Sequence, residues 1–126
     1  MTCLFCKTPK ERIIASNELA YAIRDNFPVT PLHTLIIPKH HVLDYFSLSK
    51  EDLIACDDLL RNIKEEIQVL DATVDGFNIG MNSGASAGQT IVHCHIHLIP
   101  RRSGDVENPK GGIRHLIPGK GYYDAT

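Results

Sequence analysis

Residues 93–99 read His93-Cys94-His95-Ile96-His97-Leu98-Ile99, and this alternation constrains the fold more than any other stretch. On a β-strand successive side chains point to opposite faces, so the three imidazoles share one face while Cys94, Ile96 and Leu98 turn to the core. Continuing the same parity backwards predicts Gln89 and Ile91 on the histidine face and Val92 on the core face. Histidine is costly to bury without partners and is largely neutral near pH 7. An aligned row of imidazoles therefore offers a nucleophile, a proton donor and a metal ligand together. Same-face neighbours on a strand lie about 6.6 to 6.8 Å apart, which separates the His93 and His97 backbones by roughly 13 Å. One metal ion cannot easily take all three rings.

Other segments supply a sheet and one helix. Arg12–Ala15 and Leu19–Asp25 read as strands joined by a hairpin turn at Ser16-Asn17-Glu18. The β-branched run Leu32–Ile37 stops at Pro38, with His33, Leu35 and Ile37 on one face. Ser49-Lys50-Glu51-Asp52 has capping-box spacing, and Leu53, Cys56, Leu60, Ile63, Ile67 and Leu70 follow as the predicted buried stripe of a long helix. Asp57, Asp58, Arg61, Lys64 and Glu65 form its solvated face. Gly76–Met81 alternates again as a strand. Strands on both sides of one long helix, with hairpin-length connections, predict an α+β domain: a mainly antiparallel sheet of about five strands, one long helix and a shorter helical segment. A chain of 126 residues closes one core but not two. Residues 1–102 are read as the domain core and 103–126 as an irregular, Gly- and Pro-containing tail packed on or near the active site.

A formal net charge of -2 argues against a nucleic-acid duplex as partner, while leaving a small anionic ligand open. No apolar stretch approaches the roughly 20 residues that cross a bilayer, so no membrane partner is expected and a cytoplasmic location is. A structural disulfide is disfavoured there, and the four cysteines are read as metal ligands or buried thiols. Cys3-x-x-Cys6 has the spacing of a zinc half-site needing two further N or S ligands. A redox dithiol is the alternative, but such motifs follow a strand, for which residue 3 leaves no room. Cys56 and Cys94 fit buried thiols. Between the last two strands, Asn82-Ser83-Gly84-Ala85-Ser86-Ala87-Gly88 has small residues whose backbone N–H groups can approach an anion closely.

Taken together, these segments resemble the histidine-triad (HIT) family of nucleotide hydrolases and transferases, whose motif alternates three histidines with apolar residues. The triad at residues 93–99 matches in full; Asn82-Ser83-Gly84, Ala87-Gly88-Gln89-Thr90 and the stretch from Arg24-Asp25 to His33-Thr34-Leu35-Ile36-Ile37-Pro38-Lys39 look like the family's other elements. The resemblance implies that His95 attacks the α-phosphorus of a purine nucleotide, either an adenosine phosphoramidate or a dinucleoside polyphosphate, giving a nucleotidyl-histidine that water cleaves. It implies that the His93 backbone orients that ring and that His97 hydrogen-bonds phosphate or the leaving atom. A histidine on a half-buried strand is by itself more often structural, but the resemblance makes His33 a proton-relay partner.

Asn82, Gly88, Gln89 and Thr90 are then the phosphate-binding residues, and Asp25, otherwise an ordinary turn carboxylate, binds ribose hydroxyls. Ile23, with Ile14 beside it, lines the base slot. Some bacterial relatives complete a structural zinc site with the histidine of Ile-Pro-Lys-x-His and the first triad histidine, here giving Cys3, Cys6, His41 and His93. A homodimer is implied as well. The contrasting reading is a non-catalytic nucleotide- or zinc-binding module.

Overall fold

The computed structural model describes residues 3–124; residues 1, 2, 125 and 126 lie outside it. Among the described residues there are five strands, β1 (Ile13–Ser16), β2 (Ala20–Arg24), β3 (Thr34–Pro38), β4 (Val74–Gly80) and β5 (Ile96–Arg102), and one α-helix, α1 (Lys50–Leu70), between β3 and β4 in sequence. The sheet is antiparallel throughout, in the order β1-β2-β3-β5-β4. The shorter helical segment expected beside α1 is realised only as 3₁₀ turns at Lys10–Arg12, Tyr45–Ser47, Ala85–Ala87 and Gly112–Leu116. No helix among the described residues is long and apolar enough to cross a membrane.

Local chemistry sets these boundaries. Asn17 closes the β1–β2 hairpin, its Oδ1 accepting from the backbone N–H groups of Leu19 and Ala20 at 3.1 and 2.9 Å. Ser49 caps α1, its Oγ accepting from Asp52 N at 3.1 Å. The reciprocal half of the capping box does not form. Asp52 is buried instead, with Oδ2 3.3 Å from His40 Nδ1 and Oδ1 without a hydrogen-bond partner among the described residues.

That inward turn goes with a rotation of the predicted stripe. The buried residues of α1 are Asp52, Cys56, Leu59, Ile63 and Ile67, whereas Leu53 and Leu70 are exposed and Leu60 is half-buried. At about 100° per residue, Leu53 and Leu70 lie roughly 100° apart around the axis. One narrow stripe cannot hold both.

Alternation along the strands separates two apolar clusters. Ala20, Ala22, Ile36, Ile96 and Leu98 meet Cys56, Leu59, Ile63 and Ile67 on the helix side, and the small alanines let α1 settle close to the sheet. On the opposite face Tyr21, Ile23, Leu35 and Ile37 pack with Phe5 from the N-terminal segment. The second face is the floor of the site.

Here the parity extended back from the triad fails. Regular pairing of β5 begins at Ile96, and residues 91–93 bend, so Val92 is 57% exposed rather than in the core. Cys94 does turn inward: it is 2% exposed, and burial pushes its thiol up to about 11 and that of Cys56 to about 12. Both are inert packing thiols at neutral pH.

Candidate active site

His95 sits between two rings, with centroids 5.0 Å from Phe5 and 5.2 Å from His97. Its position is set by the backbone, since Cys94 N donates to Val42 O at 2.7 Å and His95 Nδ1–H donates to His93 O at 2.8 Å. That bond puts the ring proton on Nδ1 and leaves the Nε2 lone pair free. His95 borders a cavity of about 360 Å³ whose walls include Phe5, Ile23, Leu35, Asp25, Asn82, Gly88, Thr90 and His97.

The tautomer of His97 follows from a chain of two bonds. Val29 N–H donates to His33 Nδ1 at 3.0 Å, so the proton of neutral His33 lies on Nε2. His33 Nε2–H then donates to His97 Nδ1 at 2.9 Å, which leaves His97 with its proton on Nε2. Burial, and then the neighbouring His95 and His33 rings, push the pKa of His97 down to about 4; burial likewise lowers that of His33. Both rings are neutral near pH 7. The cavity thus holds a bare imidazole nitrogen beside an imidazole N–H.

Asp25 stands behind this chain, Oδ2 lying 3.5 Å from His33 Nε2, while Oδ1 accepts from Phe27 N at 2.8 Å. It lines the cavity and also closes the turn leading into β3, where Leu32 holds a left-handed φ of 71°. Such a conformation costs a non-glycine residue roughly 1–2 kcal/mol. The turn delivers His33 to the buried face.

Neutral burial has a pH signature. An unfolded histidine takes up its proton near pH 6.5 and His97 only near 4, so between those values the unfolded chain binds more protons and stability falls as pH drops. The thermal midpoint is expected to be lower at pH 5 than at pH 7. His97→Asn should flatten part of that slope, and a melting series in which the variant and parent slopes coincide would contradict the buried, neutral ring.

Several expected residues fall elsewhere. Gln89 does not border the cavity: its Oε1 accepts from Gly84 N at 2.9 Å, and its Nε2 donates to Leu43 O at 2.6 Å and Ile91 O at 3.2 Å. These bonds staple the loop from Asn82 to Gly88, whose turn depends on positive φ at Gly84 and Gly88. The amide is spent on the loop rather than aimed at a ligand. Ile14 points away at 38% exposure, because a register shift between Ile13 and Ala15 makes Ile13 the residue packed beside Ile23. Sequence reasoning missed Phe5 and Arg12 as cavity walls. The signal for Phe5 was its place inside Cys-x-x-Cys, since whatever holds the two thiols also places the ring; for Arg12 there was none.

The thiols do converge with two histidines. Cys3 Sγ lies 3.3 Å from His93 Nδ1, Cys6 Sγ 3.3 Å from His41 Nδ1 and 3.6 Å from His93 Nδ1. All four donor atoms lie within 4.8 Å of one another. Zinc bond lengths of about 2.3 Å to sulfur and 2.0–2.1 Å to nitrogen give tetrahedral S···N edges of roughly 3.6 Å, so the donor set and its spacing fit zinc. His93 Nε2–H donates to Pro38 O at 2.8 Å, presenting Nδ1 to the site as an outer partner of a ligating histidine does. His40, adjacent to His41, is turned away toward Asp52.

This fold and histidine arrangement define a class. Residues 7–104 match the HIT domain family, and the chain belongs to it. An uncharacterized HIT-like protein of Saccharolobus solfataricus is 31% identical over 97% of this chain and 90% of its own length. The adenosine 5'-monophosphoramidase of Schizosaccharomyces pombe is 33% identical over 80% of this chain and 75% of its own. Among solved structures, a zinc-bound histidine triad family protein from Mycobacterium smegmatis superposes with a TM-score of 0.74 at 34% identity, covering 82% of this chain and 78% of that one.

Proposed function

We propose that this protein is a nucleotide hydrolase or nucleotidyl transferase acting at the α-phosphate of a purine nucleotide through a covalent nucleotidyl-His95. One observation carries the reading: the bare Nε2 of His95 and the protonated Nε2 of His97 belong to adjacent rings of one cavity. His95 Nε2 attacks phosphorus while the bond from phosphorus to the leaving nitrogen or oxygen breaks, and His97 gives its Nε2 proton to the departing atom. The His33–His97 pair takes up one solvent proton as substrate binds, with Asp25 beside it offsetting the charge, so that His97 is left neutral once its Nε2 proton has gone. Water then displaces His95 from phosphorus, returning a proton to His97. Asn82, Gly88 and Thr90 hold the phosphate, Asp25 the ribose, and Ile23 with Leu35 and Phe5 the base. The likeness to the fission-yeast adenosine 5'-monophosphoramidase supports the substrate class.

Cys3, Cys6, His41 and His93 would hold a zinc ion that cross-links the N-terminal segment to the segment leading into β5. The zinc-bound mycobacterial relative supports this. The homodimer implied by the resemblance and the cytoplasmic location expected from the sequence belong to the same proposal, as does the division into a core at 1–102 and a tail at 103–126. β1 and β4 are the two edges of the sheet.

The test uses two substrates of one nucleotide. Adenosine 5'-phosphoramidate should be turned over to AMP, and an acid quench should trap an adenylylated chain. His97→Ala should slow an amine phosphoramidate far more than a p-nitrophenyl nucleotide ester, because a poor leaving group needs the proton most. Equal loss on both would make His97 a phosphate ligand, and no adduct with any purine nucleotide would refute the covalent route.

A further inference from the structure

The C-terminal tail, which the function above does not use, builds a second cavity against the triad. The 3₁₀ turn Gly112–Leu116 lies over the β4–β5 face that carries His97: Ile113 Cδ1 is 3.7 Å from where a Cβ on Gly80 would stand, and Gly80 pairs with His97. The resulting space of about 130 Å³ is walled by Met81, Ile99, Ile113 and Leu116, and by His97 and Asn82. His97 and Asn82 also line the larger cavity, so they divide the two. Because His97 is the proton donor of the proposed reaction and walls both cavities, an atom that it protonates lies at the boundary between them.

Packing fixes the tail in place. A Cβ on Gly121 would overlap the His115 ring, and one on Gly111, at φ 91°, would run into the Gly121 carbonyl. His115 donates to Lys110 O at 2.9 Å and meets Tyr122 edge to face, with ring centroids 4.5 Å apart. The nearby arginines are already engaged. Arg101 makes bonds of 2.7 and 2.8 Å to Asp105, Arg102 lies 3.0 Å from Asp71, and Arg114 stacks on Tyr123 at 4.6 Å. A polyphosphate leaving group would have to break these pairs, whereas an apolar one needs only the space.

Building on the proposed nucleotidyl-transfer reading, we infer that this cavity is a leaving-group subsite for a small apolar substituent, joined through nitrogen or oxygen to the α-phosphate. Its volume holds roughly four methylene-sized groups, each close to the volume of a water molecule.

Binding of the methyl and n-butyl phosphate esters of AMP, which carry equal charge, tests this by calorimetry on the full chain. The butyl ester should bind about tenfold tighter, from partial burial of three added methylenes. Ile113→Ser with Leu116→Ser should reduce that preference to less than about twofold and leave the methyl ester unchanged; Ile113→Trp, which fills the space, should do the same. Equal affinity for the two esters in the parent chain, a preference surviving both sets of variants, or tighter binding of a diadenosine polyphosphate than of the butyl ester would overturn the subsite. If neither ester nor AMP binds, the nucleotide reading itself falls and the subsite with it.

Discussion

His95→Ala is expected to bind AMP, form no covalent adduct, and lose more than about 10³-fold of its turnover, since no neighbouring group replaces a missing nucleophile. The expectation rests on tautomers. His97 cannot substitute, because its Nδ1 is occupied by His33 and its Nε2 carries the proton. His93 cannot either: its Nε2 donates to Pro38 O and its Nδ1 faces the two thiols. Only His95 has an unprotonated nitrogen left for the cavity. A variant retaining a tenth of the parent rate on adenosine phosphoramidate would require another nucleophile or direct attack by water. Intact-mass measurement of the acid-quenched variant decides between those two.

The second large effect concerns the N-terminal segment. Cys3→Ser with Cys6→Ser should abolish about one equivalent of zinc per chain and lower the thermal midpoint by roughly 10 °C, from loss of a few kcal/mol of metal-linked folding energy. Leu4 and Phe5 lie between the two thiols and wall the cavity, and Phe5 packs on His95 and His93 with centroids 5.0 and 6.0 Å away. Activity should therefore fall as well, though less than stability does. The segment keeps a second anchor, since Tyr21 O–H donates to the Phe5 carbonyl and Thr8 Oγ1 lies 2.9 Å from the Tyr21 hydroxyl. Elemental analysis of chelator-free preparations is the direct check. Parent protein free of metal, with both thiols reactive, would show that the four donors meet without an ion.

How legible the molecule was in its sequence varied with the range of the interaction. The strands, the hairpin at Asn17 and the start of α1 at Ser49 were readable, because turn and capping chemistry acts over a few residues. The buried stripe of α1 was readable only in part. Which of Leu53, Leu59, Leu60 and Leu70 face inward depends on how the helix lies on Ala20 and Ala22, and on a carboxylate drawn in toward His40.

The site divides along the same line. Period-two spacing identified the histidines and their apolar partners, and the Cys-x-x-Cys spacing identified half a metal site; both are properties of consecutive residues. Gln89 defeats such reasoning, because a primary amide serves a phosphate or a carbonyl equally well, and only the approach of Leu43 O, 46 positions away in the chain, decides which. The protonation pattern of the triad was equally out of reach. It is set by Val29 N, His33 and the His93 carbonyl, groups that the turn before β3 and the loop before β5 bring together across 64 positions. Sequence alone therefore determined which chemical groups the protein carries and their order along the chain. The tertiary structure decided which nitrogen of each ring holds a proton, since a tautomer depends on the one partner within hydrogen-bond reach.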